Sequence, residues 1–514
     1  MATEIEDVAI SFSNLNIARD WPQDNAKQLG YSTNDSLASL RNDVDKLAEA
    51  AGIIITRAQN MKSLIGDAVP DTLSITKIYS LQESTKKCLG TTESLRTTID
   101  TFREVAECSI IVRLRSLGEQ SMNTVHEQLP IEELFSYFKP EIRSIIRKKH
   151  VIWKVAEECY MQAASRSGTL HVSRYLDSLQ KDGQKLPLGH DSVDQVHSID
   201  IGQVHENKVE SMKMQGWVNF WVMVLSKSPD GPTLFYPPLS PGNLTLEVED
   251  VPRYLFRTFD EASPGTNNDN EIASVESRGR LPGQGRIDLL QRERIQAAER
   301  LYSHLYKPIF DVYTNDNLMS WTSSLLFAIQ YAIYRGQWRS PGDIKICVVD
   351  TREFPQEQFA RDLWLFEAIE STTLPQGPAR EFFEFRQDRP DFYNGEYLSQ
   401  GTVNIANRSC ITSLQNLKDA GLSELYPEFD DPEGSTEWAK RVRGLREAWS
   451  TEQGTNERDV ELALQIARKC FIPFAPVKIA AVLLTFKPRK IRRPQQPGKQ
   501  TRSLSFCADL TTKY

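Results

Sequence analysis

From Leu37 onward the apolar residues fall at alternating steps of three and four: Leu37, Leu40, Val44, Leu47, Ala51, Ile54, Ala58, Met61 and Ile65. That spacing puts all of them on one helical stripe, and Gly66 and Pro70 end it. A second stripe follows through Ile78, Leu81, Cys88, Leu95, Ile99, Phe102 and Ala106, weakened by Thr85 and Thr92 at the intervening seam positions. A third helical region runs from Ile131 through Phe135, Phe138, Ile142, Ile145, Ile152, Ala156 and Cys159. Pro140 either divides it or opens a new first turn. Three such helices with short connections predict an antiparallel bundle or a bent coiled coil. The stripes serve as its core, or else as a surface for self-association or a protein partner.

Beyond residue 173 the pattern changes. Residues 173–209 are polar and punctuated by glycine, which predicts a linker. GWVNFWVMVLSKSPDGPTLFYPP then reads as strand, turn, strand, since SPDGP carries turn chemistry. From Val251 on, YLFRTF, IKICVVDT, EFFEF, EYLSQGTVNI and KIAAVLLTF read as strands. A loop rich in Gly, Asn and Ser is expected over 263–287. Helices are expected over 289–305, in LLFAIQYAIYRG, in FPQEQFARDLWLFEAI and in DVELALQIARKC. Without regular βαβ alternation the class is α+β.

Length adds a partition. The 514 residues call for two or three domains. The pattern divides them into a flexible N-terminus (1–30), a helical bundle (31–172), a linker with a small β hairpin (173–250), an α+β domain (251–490) and a basic flexible tail (491–514). Composition is 40% hydrophobic and 25% charged, enough to build cores. A net charge of −8 makes nucleic acid an unlikely partner. The seven cysteines include no CxxC pair and read as buried free thiols in a reducing compartment. The N-terminus lacks the features of a secretory signal, and GWVNFWVMVL is too short to span a bilayer. The expected location is cytoplasmic, with KPRKIRRPQQPGK offering a nuclear address or simply a solvated tail.

Three segments carry candidate chemistry. Arg257 in YLFRTF points into a half-buried β face, where it needs an acid or a phosphate; a structural salt bridge would serve equally. Ser320, Trp321, Thr322, Ser323 and Ser324 lead into an apolar helix. They can cap that helix, or direct hydroxyls and amides at a ribose or phosphate. Glu396 lies among Phe392, Tyr393 and Tyr397. It is a water-exposed strand end, or a carboxylate placed to stabilise an oxocarbenium-like centre. Weaker patterns are set aside: His190, His197 and His205 read as a solvated loop with no metal site, RGRLPGQGR as a loop without Walker residues, and IQYAIYRGQWR as a broken IQ pattern.

In this order the segments resemble the R-S-E arrangement of the ADP-ribosyltransferase superfamily, in its heat-labile-enterotoxin-like branch. The resemblance covers roughly residues 251–410. It implies an ADP-ribosyltransferase-like fold and NAD as substrate. It also implies that Arg257 holds the ribose or phosphate, that Thr322 and Ser323 with Trp321 or Ser320 shape the nicotinamide pocket, and that Glu396 is catalytic. Trp321 or Tyr397 would stack on a ring. Two departures stand out: Trp321 replaces the first serine unless Ser320 serves, and Asn394 stands two residues before Glu396. SWTSSLLFAIQYA, VVDTREFP and GEYLSQGTVNI also resemble an uncharacterised domain of filamentous-fungal proteins. The expected function is that of an ADP-ribosyltransferase or NAD glycohydrolase. The alternative is a catalytically inactive interaction protein that binds partners through its helices.

Overall fold

The computed structural model describes residues 33–66, 74–122, 131–149, 151–164, 218–236, 251–278, 286–306, 316–369 and 377–490. The expected loose N-terminus, the histidines at 190–205, most of the glycine loop from Arg278 and the basic tail lie outside them. The chain is α+β: N-terminal helices are followed by a domain that combines an antiparallel sheet with helices. It divides into two compact units, Met1–Leu117 with Glu132–Val155, and Gly118–Ile131 with Ala156–Tyr514. No helix among the described residues is long and apolar enough to cross a membrane.

The first unit is built from α1 (Thr33–Ile65), most of α2 (Ile75–Met122) and α3 (Ile131–Lys148). Leu47, Ala51, Ile54 and Met61 are sheltered, but Val44 and Ile65 face outward, and the stripe continues through Arg57 and Leu64 instead. Arg57 is drawn in because its guanidinium donates to the Lys87 carbonyl and to Thr91 Oγ1. On α2 the sheltered seam runs through Leu81, Ser84, Cys88, Thr91, Leu95 and Thr98, one residue before the expected threonines. Thr85 and Thr92 are exposed and bond back to the carbonyls of Leu81 and Cys88. Helix α3 continues through Pro140 without a break. Buried Glu107 accepts from Arg147 at 2.7 Å, joining α2 to α3.

The second unit contains a six-stranded sheet in the order β6-β7-β4-β1-β5-β9. Its strands are β1 (Tyr254–Phe259), β4 (Leu318–Thr322), β5 (Lys345–Asp350), β6 (Ala360–Arg361), β7 (Glu396–Gln400) and β9 (Ser409–Ser413). A smaller sheet pairs β2 (Thr266–Asn267), β3 (Glu271–Ala273) and β8 (Thr402–Asn404), so two strands occupy what reads as loop. Strand alternation assigns each side chain to a face. Tyr254, Phe256, Ile346 and Val348 pack against helix α6 (Leu325–Arg335), α9 (Glu457–Cys470) and α10 (Pro476–Leu484). Leu318, Ala360 and Leu398 pack with α5 (Arg294–Tyr306), α7 (Asp362–Ile369) and α8 (Pro378–Asp388). On the opposite face Leu255, Phe259, Met319, Trp321, Cys347, Val349 and Tyr397 meet Ile272, Val403 and Ile405 of the small sheet and its exit.

Three expected strands are helical. Residues 218–227 form a helix in place of the first hairpin strand, with Phe220, Trp221, Val222, Val224 and Leu225 buried. An apolar run buried all round carries no period that separates helix from strand. Arg286 satisfies the carbonyls of Ser226 and Ser228 at that helix's end. The second hairpin strand is reduced to one bridge, Thr233 to Gln400. EFFEF lies inside α8, where Phe383 reaches the core. KIAAVLLTF forms α10, which Pro476 opens and whose buried Ile479, Ala480 and Leu483 have helical spacing. FPQEQFARDLWLFEAI is helical only from Asp362, being preceded by short 3-10 turns and β6.

Buried Asp288 latches the 233–236 segment to β7. It accepts from the amides of Tyr236 and Leu290 and from Gln400 Nε2 at 2.8–3.1 Å. Burial pushes its pKa up to about 6, against which those donors pull only partly. The folded value therefore lies above the unfolded one, and the native state holds the proton more tightly. Stability from this group is present below about pH 4 and is lost as pH rises through about 6. Asp288→Asn removes that dependence. Urea unfolding from pH 4 to 7 is expected to show the wild type losing up to about 3 kcal/mol more than the variant.

Candidate functional site

The three candidate segments lie on adjacent strands β1, β4 and β7. Phe256 pairs with Thr322, and Thr322 pairs with Glu396, so the middle strand connects the other two. Strands β1 and β4 share only that one paired position, whereas β1 and β5 share six. Where β1 and β4 part, the Arg257 guanidinium bridges the gap. Its Nη1 donates to the Ser320 carbonyl at 2.8 Å and its Nε to Asn267 Oδ1 at 3.1 Å. Both acceptors are neutral, and among the described residues no carboxylate pairs with Arg257. The structural salt bridge is therefore not what holds it. Burial, opposed only weakly by neighbouring groups, pulls its pKa down to about 10.

The hydroxyls of Thr322 and Ser324 serve local structure. Thr322 Oγ1 donates to the Asn394 carbonyl and accepts from the Ser324 amide. Ser324 caps α6, accepting from the Phe327 amide at 3.2 Å. The Ser323 amide donates to the Gly395 carbonyl at 2.8 Å. Gly395 has φ +65°, and a Cβ there would stand 1.9 Å from Ser323 Oγ, so only glycine lets the loop approach β4.

Trp321 and Tyr397 correct an expectation. Both rings are buried in the core between the sheets, and Trp321 Nε1 donates to Ser399 Oγ at 2.8 Å. They pair with each other across β4 and β7, so neither is free to stack on a ligand here. Their position follows from alternation: Thr322 and Glu396 face the helices, and Trp321 and Tyr397 must face the other way. Arg257 shares the face of Trp321, so its side chain and that of Glu396 leave the sheet on opposite sides.

Glu396 belongs to a charged cluster. Its carboxylate pairs with Arg386 of α8, and the same Arg386 nitrogen lies 2.9 Å from Asp362, which is fully buried. Desolvation raises Asp362 to about 6, with Arg386 opposing and Glu396 reinforcing the shift. The two carboxylates in turn raise Arg386 further above its ordinary value despite its burial. Tyr393 donates to Asp362 Oδ1 and accepts from Arg361 Nε. Glu396 is therefore not simply an exposed strand end.

Sequence reasoning missed two residues beside this site. His304 on α5 is buried, with Nδ1 2.8 Å from Asp316 Oδ2 and Nε2 2.9 Å from Ser320 Oγ. The signal was its place on the apolar face of α5, in line with Ala297, Ala298 and Leu301. Asp316 precedes β4 and carried no such signal. Among the described residues no group of three metal-ligating side chains gathers, and six of the cysteines are free thiols.

The fold and site together define an α+β domain with an arginine, a hydroxyl-rich strand end and a glutamate on three neighbouring strands. Residues 250–405 match the family model described as Domain of unknown function (DUF7587). No curated protein and no solved structure matches the chain.

Replacing Arg386 with methionine removes the cation between Asp362 and Glu396. Breaking such a buried pair leaves uncompensated charge and costs about 3–5 kcal/mol. Urea denaturation at neutral pH is expected to show that loss, and Asp362→Asn in the same background should restore part of it.

Proposed function

We propose that the second unit uses NAD and cleaves its nicotinamide glycosidic bond, as an ADP-ribosyltransferase or NAD glycohydrolase. The observation that carries this reading is Arg257, a half-buried guanidinium held by two neutral oxygens and matched by no carboxylate among the described residues. A desolvated cation of this kind favours an anionic partner, and a pyrophosphate provides one with forked geometry. This scheme requires the dinucleotide to reach both faces of the sheet, since Arg257 and Glu396 leave it on opposite sides; Arg257 clamps the phosphate or ribose. Glu396 exchanges Arg386 for a ribose hydroxyl and stabilises the oxocarbenium centre. Ser320, Thr322 and Ser323 shape the nicotinamide pocket, with Trp321 and Tyr397 supporting it from the core. Attack by water gives a hydrolase; attack by a side chain gives a transferase.

The second reading is an interaction protein that retains the fold without turnover, its helices binding a protein partner or a second copy. It is favoured by the Arg386 pair that occupies Glu396 and by the core positions of Trp321 and Tyr397. Purified protein incubated with NAD separates the two. Under the enzyme reading nicotinamide is released, Glu396→Gln slows release by about 10²–10³-fold, and Arg257→Gln abolishes the rise in melting temperature on adding NAD. Wild-type protein showing neither release nor a melting shift ends the enzyme reading.

A further inference from the structure

We propose that Asp316, His304 and Ser320 form a hydrogen-bonded relay that makes Ser320 a nucleophile toward small carboxylic esters. This activity does not rest on NAD chemistry, although it uses Ser320, which that reading places in the nicotinamide pocket. The geometry is continuous: Asp316 Oδ2 lies 2.8 Å from His304 Nδ1, and His304 Nε2 lies 2.9 Å from Ser320 Oγ. Asp316 is itself oriented, since its other oxygen accepts from the Leu318 amide at 2.9 Å. A carboxylate only accepts, so Nδ1 carries a hydrogen; in the neutral imidazole Nε2 is then the acceptor and the Ser320 hydroxyl donates.

Those are the roles of nucleophile, base and orienting acid, which are recognised by geometry and not by chain order. The three residues come from α5, the segment before β4, and β4 itself. Ser320 is fixed at its main chain by Arg257 on its carbonyl and by its pairing with Leu398. His304 and Asp316 are buried, while Ser320 is only half-buried. Leu301, Leu318 and Leu398 are packed into the core on the same side of the sheet. A histidine with a packing role alone could satisfy Nε2 with a carbonyl fixed by the fold. Here Nε2 meets a hydroxyl that can lose its proton.

In the reaction Ser320 Oγ bonds to the ester carbonyl carbon as its proton passes to His304 Nε2. The ester C–O bond then breaks, and the alcohol leaves with that proton. Water reverses the sequence: one of its protons goes to His304, its oxygen bonds to the acyl carbon, and Ser320 departs with the proton returned. Asp316 remains a carboxylate throughout and stabilises the imidazolium.

The test treats the full chain with a fluorophosphonate, which phosphonylates activated serines with loss of fluoride, and locates the adduct by peptide mass spectrometry. One adduct on Ser320 is expected in the wild type and none in Ser320→Ala. His304→Gln should slow labelling by about 10²-fold or more, and Asp316→Asn should slow it as well. The wild-type result decides even where a variant fails to fold. Folded wild type, checked by circular dichroism, that carries no adduct on Ser320 overturns the proposal. So does labelling of Ser320 that proceeds equally fast in folded His304→Gln or Asp316→Asn.

Discussion

The geometry of the sheet's centre depends on a guanidinium placed where two strands part. Strands β1 and β5 form a continuous ladder, but β1 and β4 meet at Phe256 and Thr322 alone. Arg257 fills the opening and takes the Ser320 carbonyl. A buried cation is costly unless its environment compensates it, and neutral oxygens compensate it only in part. The site thus combines a retained desolvated charge with a hydrogen bond that fixes β4. The conformation of Ser320 depends on that bond, and so does the aim of its hydroxyl at His304.

The second constraint is alternation. Once Thr322 pairs with Glu396, Trp321 and Tyr397 must face the small sheet, and both become core. Trp321 stands where the dinucleotide reading expects a serine. In the structure it packs against Phe359 with its indole nitrogen satisfied by Ser399. The residue standing against Glu396 is Arg386, the ninth residue of α8 and the one directly after the EFFEF run that read as strand. Whatever Glu396 does chemically, it must first be released from that pair.

Much of this was legible in the sequence, for identifiable reasons. YLFRTF, IKICVVDT and EYLSQGTVNI are short β-rich runs bounded by turn residues, and they form β1, β5 and β7 with β8. Ser324 as a cap was equally readable from its place before an apolar helix. The failures share one cause. GWVNFWVMVL and KIAAVLLTF are apolar nearly throughout, so periodicity could not separate a buried helix from a buried strand. Arg386 was hidden because EFFEF, the run directly before it, read as a strand and not as part of the helix that carries them both. His304 was hidden differently: its partner Asp316 is twelve residues away and Ser320 sixteen, across residues that carry no pattern linking them.

Strand β4 therefore presents chemistry on two sides through neighbouring atoms. The Ser320 carbonyl answers to Arg257, its hydroxyl to His304, and two residues on Thr322 stands beside Glu396. These demands need not compete, because a main-chain carbonyl lies in the plane of the sheet while a hydroxyl stands out from it. Nor does Arg257 need to cross the sheet to influence the other face. It meets the Ser320 carbonyl, and β4 is held there by one pairing to β1 and five to β7. The sparse ladder beside Arg257 leaves room for its guanidinium on one face of β4, while Ser320 Oγ and Thr322 face the titratable groups on the other.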